Sequence, residues 1–176
     1  MAIEQRTKVD PVTFSIITSA YINLVDEMVN AVKRSCMSLA IFVGDFSGGM
    51  MNADGELVAM GTRDISVHVG AIQPSTQSCI EDFGKENIYP GDVFVFNDPY
   101  RGGTHLPDMT FIRPVFWDGE LVAFTATKGH WSDVGGATPG SMNAMADEIY
   151  KEGLMVPPMK IYERGERQPV YDFILN

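Results

Sequence analysis

Apolar residues near the N-terminus recur every three or four positions, which is the spacing of one face of an α-helix. The apolar stripe consists of Val12, Ile16, Ile17, Tyr21, Leu24, Val25, Met28, Val29 and Val32. Asp10 and Pro11 precede the stripe as a potential N-cap carboxylate and a proline in the first helical turn. We predict a long amphipathic helix over residues 11 to about 36 that packs against a sheet or another subunit.

After this helix the pattern changes to short apolar runs separated by turn residues. The runs at residues 41–43 and 57–60 flank a turn rich in Asx and Gly at residues 52–55, which predicts a β-hairpin. Residues 64–70 alternate between apolar and polar side chains, as in a strand with one buried face. Residues 71–83 are predicted to form a second, shorter helix.

The second half of the chain contains the clearest strand signals. Residues 93–96 are continuously apolar, which indicates a strand buried on both faces. Residues 109–117 and 120–127 flank Asp118-Gly119, a dipeptide typical of tight hairpin turns. The last third is rich in Gly and Pro and is predicted to be mostly loop. We therefore expect an α+β fold, in which a long N-terminal helix packs on a mixed, largely antiparallel sheet and the C-terminal third is loop-rich.

Composition and charge narrow the function classes. The 176 residues suit a single domain over residues 1–176, and 45% of them are hydrophobic, as in ordinary globular proteins. Thirteen Lys and Arg against 23 Asp and Glu give a net charge of −10, which disfavours binding to nucleic acid or to anionic membranes. No uninterrupted apolar run approaches the roughly 18 residues of a membrane span. The first eight residues lack the apolar core of a signal peptide, and two cysteines cannot form a disulfide scaffold, so we expect a cytoplasmic protein.

Three residues of the second half are candidate metal ligands. His105 and Asp108 lie three residues apart in a loop that Pro99, Pro107 and a Gly-Gly pair constrain. Asp108 precedes the predicted hairpin and His130 follows it, and antiparallel pairing brings the outer ends of a hairpin together. Two imidazoles and one carboxylate form a common metal site. Local hydrogen bonding within the loops is the alternative, and the hairpin argument favours the metal site.

Other polar residues are less decisive on sequence grounds. His68 lies in the alternating segment and is expected to be a buried structural histidine rather than a ligand. Asp45 follows an apolar run and could be an Asx turn residue. The chain has no Walker A loop and no dinucleotide-binding fingerprint, so nucleotide chemistry is not expected from this chain alone.

Several motifs together resemble the hydantoinase B and oxoprolinase family, which includes the B-type subunits of ATP-dependent lactamases and of acetone and acetophenone carboxylases. The resemblance covers nearly the whole chain, from about Asp10 to Asn176. It is carried by residues 45–47 (DFS), 67–70 (VHVG), 90–92 (PGD), 97–100 (NDPY), 102–108 (GGTHLPD) and 133–136 (DVGG), with further matches at 139–141 (PGS) and 148–153. A match as long as residues 97–108 is not expected by chance.

The resemblance implies a divalent metal, zinc or manganese, held by the positions of His105, Asp108 and His130. It also implies that the carboxylate of Asp45 approaches the metal. In this family an A-type subunit with an actin-like ATPase fold phosphorylates the substrate carbonyl oxygen, and the B-type subunit completes the reaction. Cyclic amides such as hydantoins, lactams and 5-oxoproline are then attacked by water, whereas the carboxylases form an enolate that is carboxylated.

These implications define the expected function and its alternatives. We expect a metal-binding B-type subunit, or its N-terminal portion, of an ATP-dependent cyclic-amide hydrolase that forms a hetero-oligomer with an A-type partner. Asp45 is expected to be a general base or a further ligand, and Asp133 is expected to orient His130. An ATP-dependent carboxylase subunit is one alternative. Because family members are several hundred residues long and the chain ends on apolar residues, a truncated, non-catalytic assembly module is the other.

Overall fold

The computed structural model describes residues 9–138 and 143–175. The N-terminal segment at residues 1–8 and the PGS motif at residues 139–141 therefore lie outside the described residues, and so does Asn176. The helices are α1 (Pro11–Ser35), α2 (Leu39–Val43), α3 (Ser66–Phe83) and α4 (Val170–Leu175). The strands are β1 (Phe46–Asn52), β2 (Leu57–Met60), β3 (Val93–Phe96), β4 (Asp108–Trp117), β5 (Glu120–His130), β6 (Met159–Glu163) and β7 (Glu166–Arg167).

The strands form one seven-stranded sheet in the order β2-β1-β5-β4-β3-β6-β7. Every observed pairing between these strands is antiparallel. The α+β class and the long N-terminal helix are confirmed, and the sheet is antiparallel throughout its described strands. That residues 1–176 form one domain stays a prediction.

The N-terminal helix begins where the sequence indicates. One carboxylate oxygen of Asp10 accepts hydrogen bonds from the backbone N–H groups of Val12 and Thr13, both at 3.0 Å. Because the first N–H groups of a helix have no partner within the helix, this cap satisfies two of them and fixes the start. The helix ends at Ser35, close to the predicted end.

Helices cover both faces of the sheet because neighbouring side chains of a strand point to opposite faces. On one face of β1, Phe46 and Met50 face α1 and pack with Val25 and Val29. Met51 faces the other side and packs with Ile72 of α3, in a cluster that also contains Cys79, Phe94, Ile112 and Phe124. A third cluster, formed by Val95, Met109, Val156 and Ile161, lies beside α4.

Two predicted strands are helical in the structure. Residues 41–43 belong to α2, which Ser38 precedes as N-cap and Gly44 ends in the left-handed conformation at φ 119°. An apolar run of three residues cannot distinguish a strand from a helical turn, and the flanking Ser and Gly decide for the helix. The predicted hairpin is present, but its first strand is β1 rather than residues 41–43.

The predicted strand at residues 64–70 is also wrong, because α3 begins at Ser66. The buried residues of this helix are His68, Ala71, Ile72, Ser75, Thr76 and Cys79, which recur every three or four positions. Val67 supported the apparent strand alternation, yet its side chain is exposed. The helical spacing of buried residues over residues 68–79 therefore decides the structure, and the short alternation at residues 64–70 does not.

Within the described residues, α1 is the one helix that is long and apolar enough to cross a membrane, by length and composition alone. This finding does not affect the expectation of no uninterrupted apolar run of that length, because α1 contains polar residues such as Ser15, Thr18 and Asn23. A single helix of this kind is weak evidence for a membrane span, since core helices and signal sequences meet the same criterion. In this structure Val25 and Val29 of α1 pack on the sheet.

Candidate metal centre

Strand pairing brings the two ends of the central hairpin together. Asp108 is the first residue of β4, His130 is the last residue of β5, and the two are direct partners in the antiparallel register. The Nδ1 atom of His130 lies 3.3 Å from Oδ1 of Asp108. The proximity that the hairpin argument predicts is therefore observed.

The loop before β4 is fixed by the buried side chain of Asn97. Its amide nitrogen donates to the carbonyl oxygens of Leu106 at 2.6 Å and Leu154 at 2.9 Å, and its amide oxygen accepts from the N–H of Val156 at 2.7 Å. Gly102 has a φ of +96° and packs directly on α3, where a Cβ would lie 2.6 Å from the carbonyl carbon of Pro74. The loop therefore follows one defined path to His105.

Three donor atoms converge at the end of this loop. Nε2 of His105 lies 2.8 Å from Oδ1 of Asp108 and 3.2 Å from Nδ1 of His130. With the 3.3 Å between His130 and Asp108, the three atoms form a nearly equilateral triangle. Nitrogen and oxygen ligands about 2.0–2.2 Å from one ion lie roughly 3 to 3.5 Å from each other. The spacing and the donor types of His105, Asp108 and His130 therefore fit a divalent metal.

His68 contacts this triangle from behind. Its Nε2 lies 3.1 Å from the second carboxylate oxygen of Asp108, and its Nδ1 lies 3.2 Å from the hydroxyl of Ser47. The Ser47 hydroxyl oxygen accepts from the N–H of Ile65, so its hydrogen is free to donate to Nδ1 of His68. That arrangement places the ring proton on Nε2, which then donates to Asp108.

The sequence pattern predicts His68 on a strand with one buried face and gives no sign that it lies beside the site. The residue is only 1% exposed and lies on α3. A helical periodicity search starting at residue 68 would have placed it on the sheet-facing side of that helix. Its hydrogen bonds agree with the predicted structural role, and they link that role to Asp108.

Asp45 lies at the rim of the cluster. Its carboxylate oxygens are 3.6 Å from Nε2 of His68 and 3.9 Å from Nδ1 of His130, which is beyond hydrogen-bonding distance. Its side chain is 37% exposed, against 4% for Asp108. The backbone carbonyl of Asp45 accepts from the N–H of His130 at 3.1 Å, which fixes the position of the residue beside the site.

Asp133 is not brought to the cluster. It is exposed, and its Oδ1 accepts a hydrogen bond from the N–H of Gly135 at 2.8 Å, as in an Asx turn. The side-chain contacts observed for His130 run to Asp45, Asp108 and His105. The geometry therefore gives no support to an orienting role of Asp133.

Hydrogen bonds keep the central carboxylate ionised. Burial raises the pKa of Asp108, but hydrogen bonds from His105, His68 and Thr104 outweigh burial and hold the pKa of this carboxyl well below its usual range. The hydrogen bond to Asp108 also raises the pKa of His105, against the opposing effect of burial. Asp108 is thus an anionic ligand group, as metal binding requires.

A buried cation lies on the same face of the sheet. Lys128 of β5 is fully buried, and it pairs across the sheet with Thr110 on one side and Ser47 on the other. Neither Nζ of Lys128 nor Oγ1 of Thr110 has a hydrogen-bond partner among the described residues. Burial lowers the pKa of Lys128 to about 8, and the charge of Asp108 opposes this shift. Sequence reasoning gave no signal for this residue.

The chain is similar in sequence to a caprolactamase subunit and to a 5-oxoprolinase. It is 35% identical over 161 residues to the caprolactamase subunit beta of Pseudomonas jessenii, a match that covers 91% of this chain and 27% of that protein. It is 39% identical over 157 residues to 5-oxoprolinase 1 of Arabidopsis thaliana, covering 89% of this chain and 12% of that protein.

Solved structures show the same architecture. The crystal structure of the ATP-dependent caprolactamase from Pseudomonas jessenii matches with a TM-score of 0.84 and 32% identity, covering 97% of this chain and 29% of that chain. A nucleotide-free structure of acetone carboxylase matches with a TM-score of 0.83 and 24% identity, covering 92% of this chain and 22% of that chain. At that identity the second match shows the fold alone.

The chain spans between 12% and 29% of the length of these relatives. The sequence model of the family described as hydantoinase B/oxoprolinase matches residues 10–176, which is almost the whole chain. This match, the relatives at 35% and 39% identity and the shared fold agree with the resemblance seen in the motifs. The chain belongs to the hydantoinase B/oxoprolinase family.

Proposed function

We propose that the chain is the metal-binding portion of a B-type subunit of an ATP-dependent hydrolase that opens cyclic amides. One observation carries the proposal: donor atoms of His105, Asp108 and His130 converge within 3.3 Å of one another in a member of this family. The caprolactamase and 5-oxoprolinase relatives support a cyclic amide such as a lactam, 5-oxoproline or a hydantoin as the substrate.

The proposed metal is zinc or manganese, held by His105, Asp108 and His130 with Asp45 at the rim. Imidazole and carboxylate ligands suit both ions. When bound, the ion supplies Lewis acidity, which polarises a carbonyl or phosphoryl oxygen and acidifies water.

The chain's own residues prepare the site for attack by water. Because His68 and Thr104 both bond to one oxygen of Asp108, the other oxygen stays directed at His105 and His130. Asp45 is partly exposed beside these groups, and its carboxylate makes no hydrogen bond among the described contacts. We assign it the role of general base, which accepts a proton from the attacking water.

ATP is assigned to a separate A-type subunit. This chain has no Walker A loop, and its net charge of −10 disfavours a polyanionic ligand. The caprolactamase relative is ATP-dependent and has a subunit called beta, which supports a hetero-oligomer. In the proposed reaction, the partner phosphorylates the amide oxygen. The activated carbon then becomes a better electrophile for water.

Hydrolysis is proposed in preference to carboxylation. The acetone carboxylase match at 24% identity supports the fold alone, whereas the relatives at 35% and 39% identity are a lactamase subunit and an oxoprolinase. A non-catalytic module would have no need for the buried hydrogen bonds that hold Asp108 in its ionised form. We therefore keep the hydrolase as the proposed function.

Metal analysis of the purified chain is the first test. The chain is dialysed against zinc or manganese and then against buffer, and metal is measured by elemental analysis. We expect about one ion per chain, and we expect His105→Ala and His130→Ala to lose it because each removes one of three ligands. Asp133→Asn is the matched control, since Asp133 lies outside the cluster, and it should keep the ion.

Turnover with the partner is the second test. The chain is co-purified with its A-type subunit and assayed for ATP-dependent opening of hydantoins, lactams and 5-oxoproline, with acetone as the carboxylase substrate. We expect ATP-dependent ring opening by the complex and no ATPase activity of the chain alone. A folded, unmodified chain that binds neither metal would contradict the proposal, and so would carboxylation of acetone without ring opening.

A further inference from the structure

A pocket of about 490 Å³ lies on the face of the sheet opposite the candidate metal centre. Met109 lines it and packs in the cluster beside α4, and its side chain points away from that of its strand neighbour Asp108. Trp131, Val156 and Ile174 add further apolar walls. The volume and the apolar lining are those of a site for a small molecule.

The rim of the pocket is formed by residues 133–136, the DVGG motif that the proposed function does not use. The carbonyl oxygen of Val134 accepts a hydrogen bond from the N–H of Leu154 at 2.8 Å. The carbonyl oxygen of Glu152 leaves no room for a Cβ on Gly136, so the two loops pack backbone against backbone. The rim is therefore held in one position by the fold.

The polar side chains of the pocket leave one hydrogen-bond acceptor free. Asn97 and Asp133 are the described lining residues with a side-chain oxygen, and the amide group of Asn97 is occupied by its three backbone hydrogen bonds. Oδ1 of Asp133 accepts from the N–H of Gly135 at 2.8 Å, which fixes the carboxylate at the rim. Among the described residues, no hydrogen bond or ion pair involves Oδ2 of Asp133.

Charge and exposed apolar surface define the ligand that this pocket would accept. Asp133 is the one charged residue among the described lining residues, so the pocket favours a cation and disfavours a second carboxylate. The face of an indole ring, present here in Trp131, also attracts cations. Leu154 and Phe173 at the pocket are 42% and 73% exposed, and an alkyl chain would cover part of that surface.

From these observations we propose that the pocket binds a small primary alkylamine as its ammonium ion. The alkyl chain lies against Met109, Trp131 and Val156, and the ammonium group donates a hydrogen bond to Oδ2 of Asp133. This inference goes beyond the proposed function, and it gives a role to Asp133, which the fold keeps away from the metal cluster.

Tryptophan fluorescence provides the binding test. The chain has two tryptophans, so Trp117→Phe leaves Trp131 in the pocket as the single reporter. This chain is titrated at neutral pH with hexylamine, hexanol, hexanoate and methylamine. We expect hexylamine to bind about three- to tenfold more tightly than hexanol, because its ammonium group bonds to a carboxylate. Hexanoate should bind more weakly than hexanol, and methylamine should bind more than about tenfold more weakly than hexylamine, because it buries no methylene groups.

The titration is carried out on both the zinc-loaded and the metal-free chain. An amine can also bind to a zinc ion through its nitrogen, and that binding would require the metal. We expect the same affinity for hexylamine in both forms, because the pocket lies on the opposite face of the sheet from the candidate ligands.

Two substitutions separate charge from apolar contact. Asp133→Asn keeps an oxygen for the turn but loses the charge, so the preference for hexylamine over hexanol should fall towards one. Phe173→Ala removes part of the apolar wall and should weaken both ligands several-fold. Glu148→Gln is the control for Asp133→Asn, since Glu148 is an exposed acid outside the pocket lining, and it should leave all affinities unchanged.

The outcomes that would overturn the inference leave the proposed function untouched. An unchanged preference in Asp133→Asn would overturn it, and so would binding of hexylamine to the zinc-loaded chain alone. Absence of hexylamine binding to the folded chain would have the same consequence. Metal content and ATP-dependent turnover with the partner are measured separately, so a chain without metal would contradict the proposed function and not this pocket.

Discussion

Lys128 is the most unusual single residue of the sheet, because its ammonium group is fully buried without a hydrogen-bond partner among the described residues. A buried charge without a partner costs several kcal/mol, and the negative charge of Asp108 offsets only part of that cost. No pattern in the sequence marks this residue, since a lysine in a strand is normally expected to face solvent.

We predict that Lys128→Met increases the free energy of unfolding by about 1–3 kcal/mol, because Met fills a similar volume without a charge. Urea denaturation of the metal-free chain measures the change. Lys85→Met is the control, because Lys85 is partly exposed and pairs with Asp54 at the surface, and it should change stability by less than about 0.5 kcal/mol. A loss of stability in Lys128→Met would show that the ammonium has a stabilising partner.

The two aspartates of the site have different expected roles. Asp45→Asn should keep the metal and lower turnover of the assembled enzyme by about 10²- to 10⁴-fold, because Asn keeps the shape but cannot accept the proton. Asp108→Asn, the matched comparison at a buried ligand position, should lose metal and activity together. Metal content and turnover are measured on the same preparations. Equal metal loss in both variants would show that Asp45 is a metal ligand. Full activity of Asp45→Asn would show that Asp45 is only a turn residue.

At the scale of elements, glycines show where the packing between strands and helices is tight. A Cβ on Gly129 of β5 would lie 2.5 Å from Cδ2 of Phe46, a buried residue in the cluster beneath α1. Gly70 of α3 has open space at the same position. Close packing therefore requires a glycine at position 129, whereas packing among the described residues does not require one at position 70.

We predict opposite stability changes for the two Gly→Ala substitutions. Gly129→Ala should destabilise the chain by about 1–3 kcal/mol, because the extra methyl group forces Phe46 to move. Gly70→Ala should stabilise it by about 0.5–1 kcal/mol, because Ala is the better helix former. Thermal unfolding of both variants under identical conditions tests the pair, and a destabilised Gly70→Ala would contradict the open space seen in the structure.

At the scale of the whole molecule, α1 leaves an apolar surface uncovered. Val25 and Val29 pack on the sheet, whereas Val12, Phe14 and Ile16 are 64–69% exposed. Apolar patches of more than a few hundred Å² are rare on the surface of monomeric proteins. The apolar stripe of α1 was predicted to pack against a sheet or another subunit. Its C-terminal part packs on the sheet, and its N-terminal part is exposed.

We predict that the purified chain self-associates through this face. Light scattering at tens of micromolar should give a mass above that of one chain, and the double substitution Phe14→Glu with Ile17→Glu should lower it towards 19.4 kDa. Trp117→Glu at the end of β4 is the control, since it removes an exposed aromatic residue that does not belong to α1, and it should leave the mass unchanged. A clean monomer of the unmodified chain would count against the prediction.

Local signals in the sequence determined those elements that have strong periodicity and defined ends. The cap at Asp10, the apolar stripe of α1 and the Asp118-Gly119 turn predicted a helix and a hairpin that the structure confirms. The hairpin also placed Asp108 and His130 together, because antiparallel pairing allows little freedom at its outer ends. Residue chemistry at fixed spacing further identified the family, which the family match confirms.

Only the tertiary structure decided what lies on which face and what is buried. The place of His68 behind Asp108, the rim position of Asp45 and the separation of Asp133 depend on how α3 and the loops pack on the sheet. These contacts join residues 21 to 40 positions apart, and no local pattern reports them. The strand-like alternation at residues 64–70 was overridden for the same reason, since packing of His68 and Ala71 against the sheet favours the helical period.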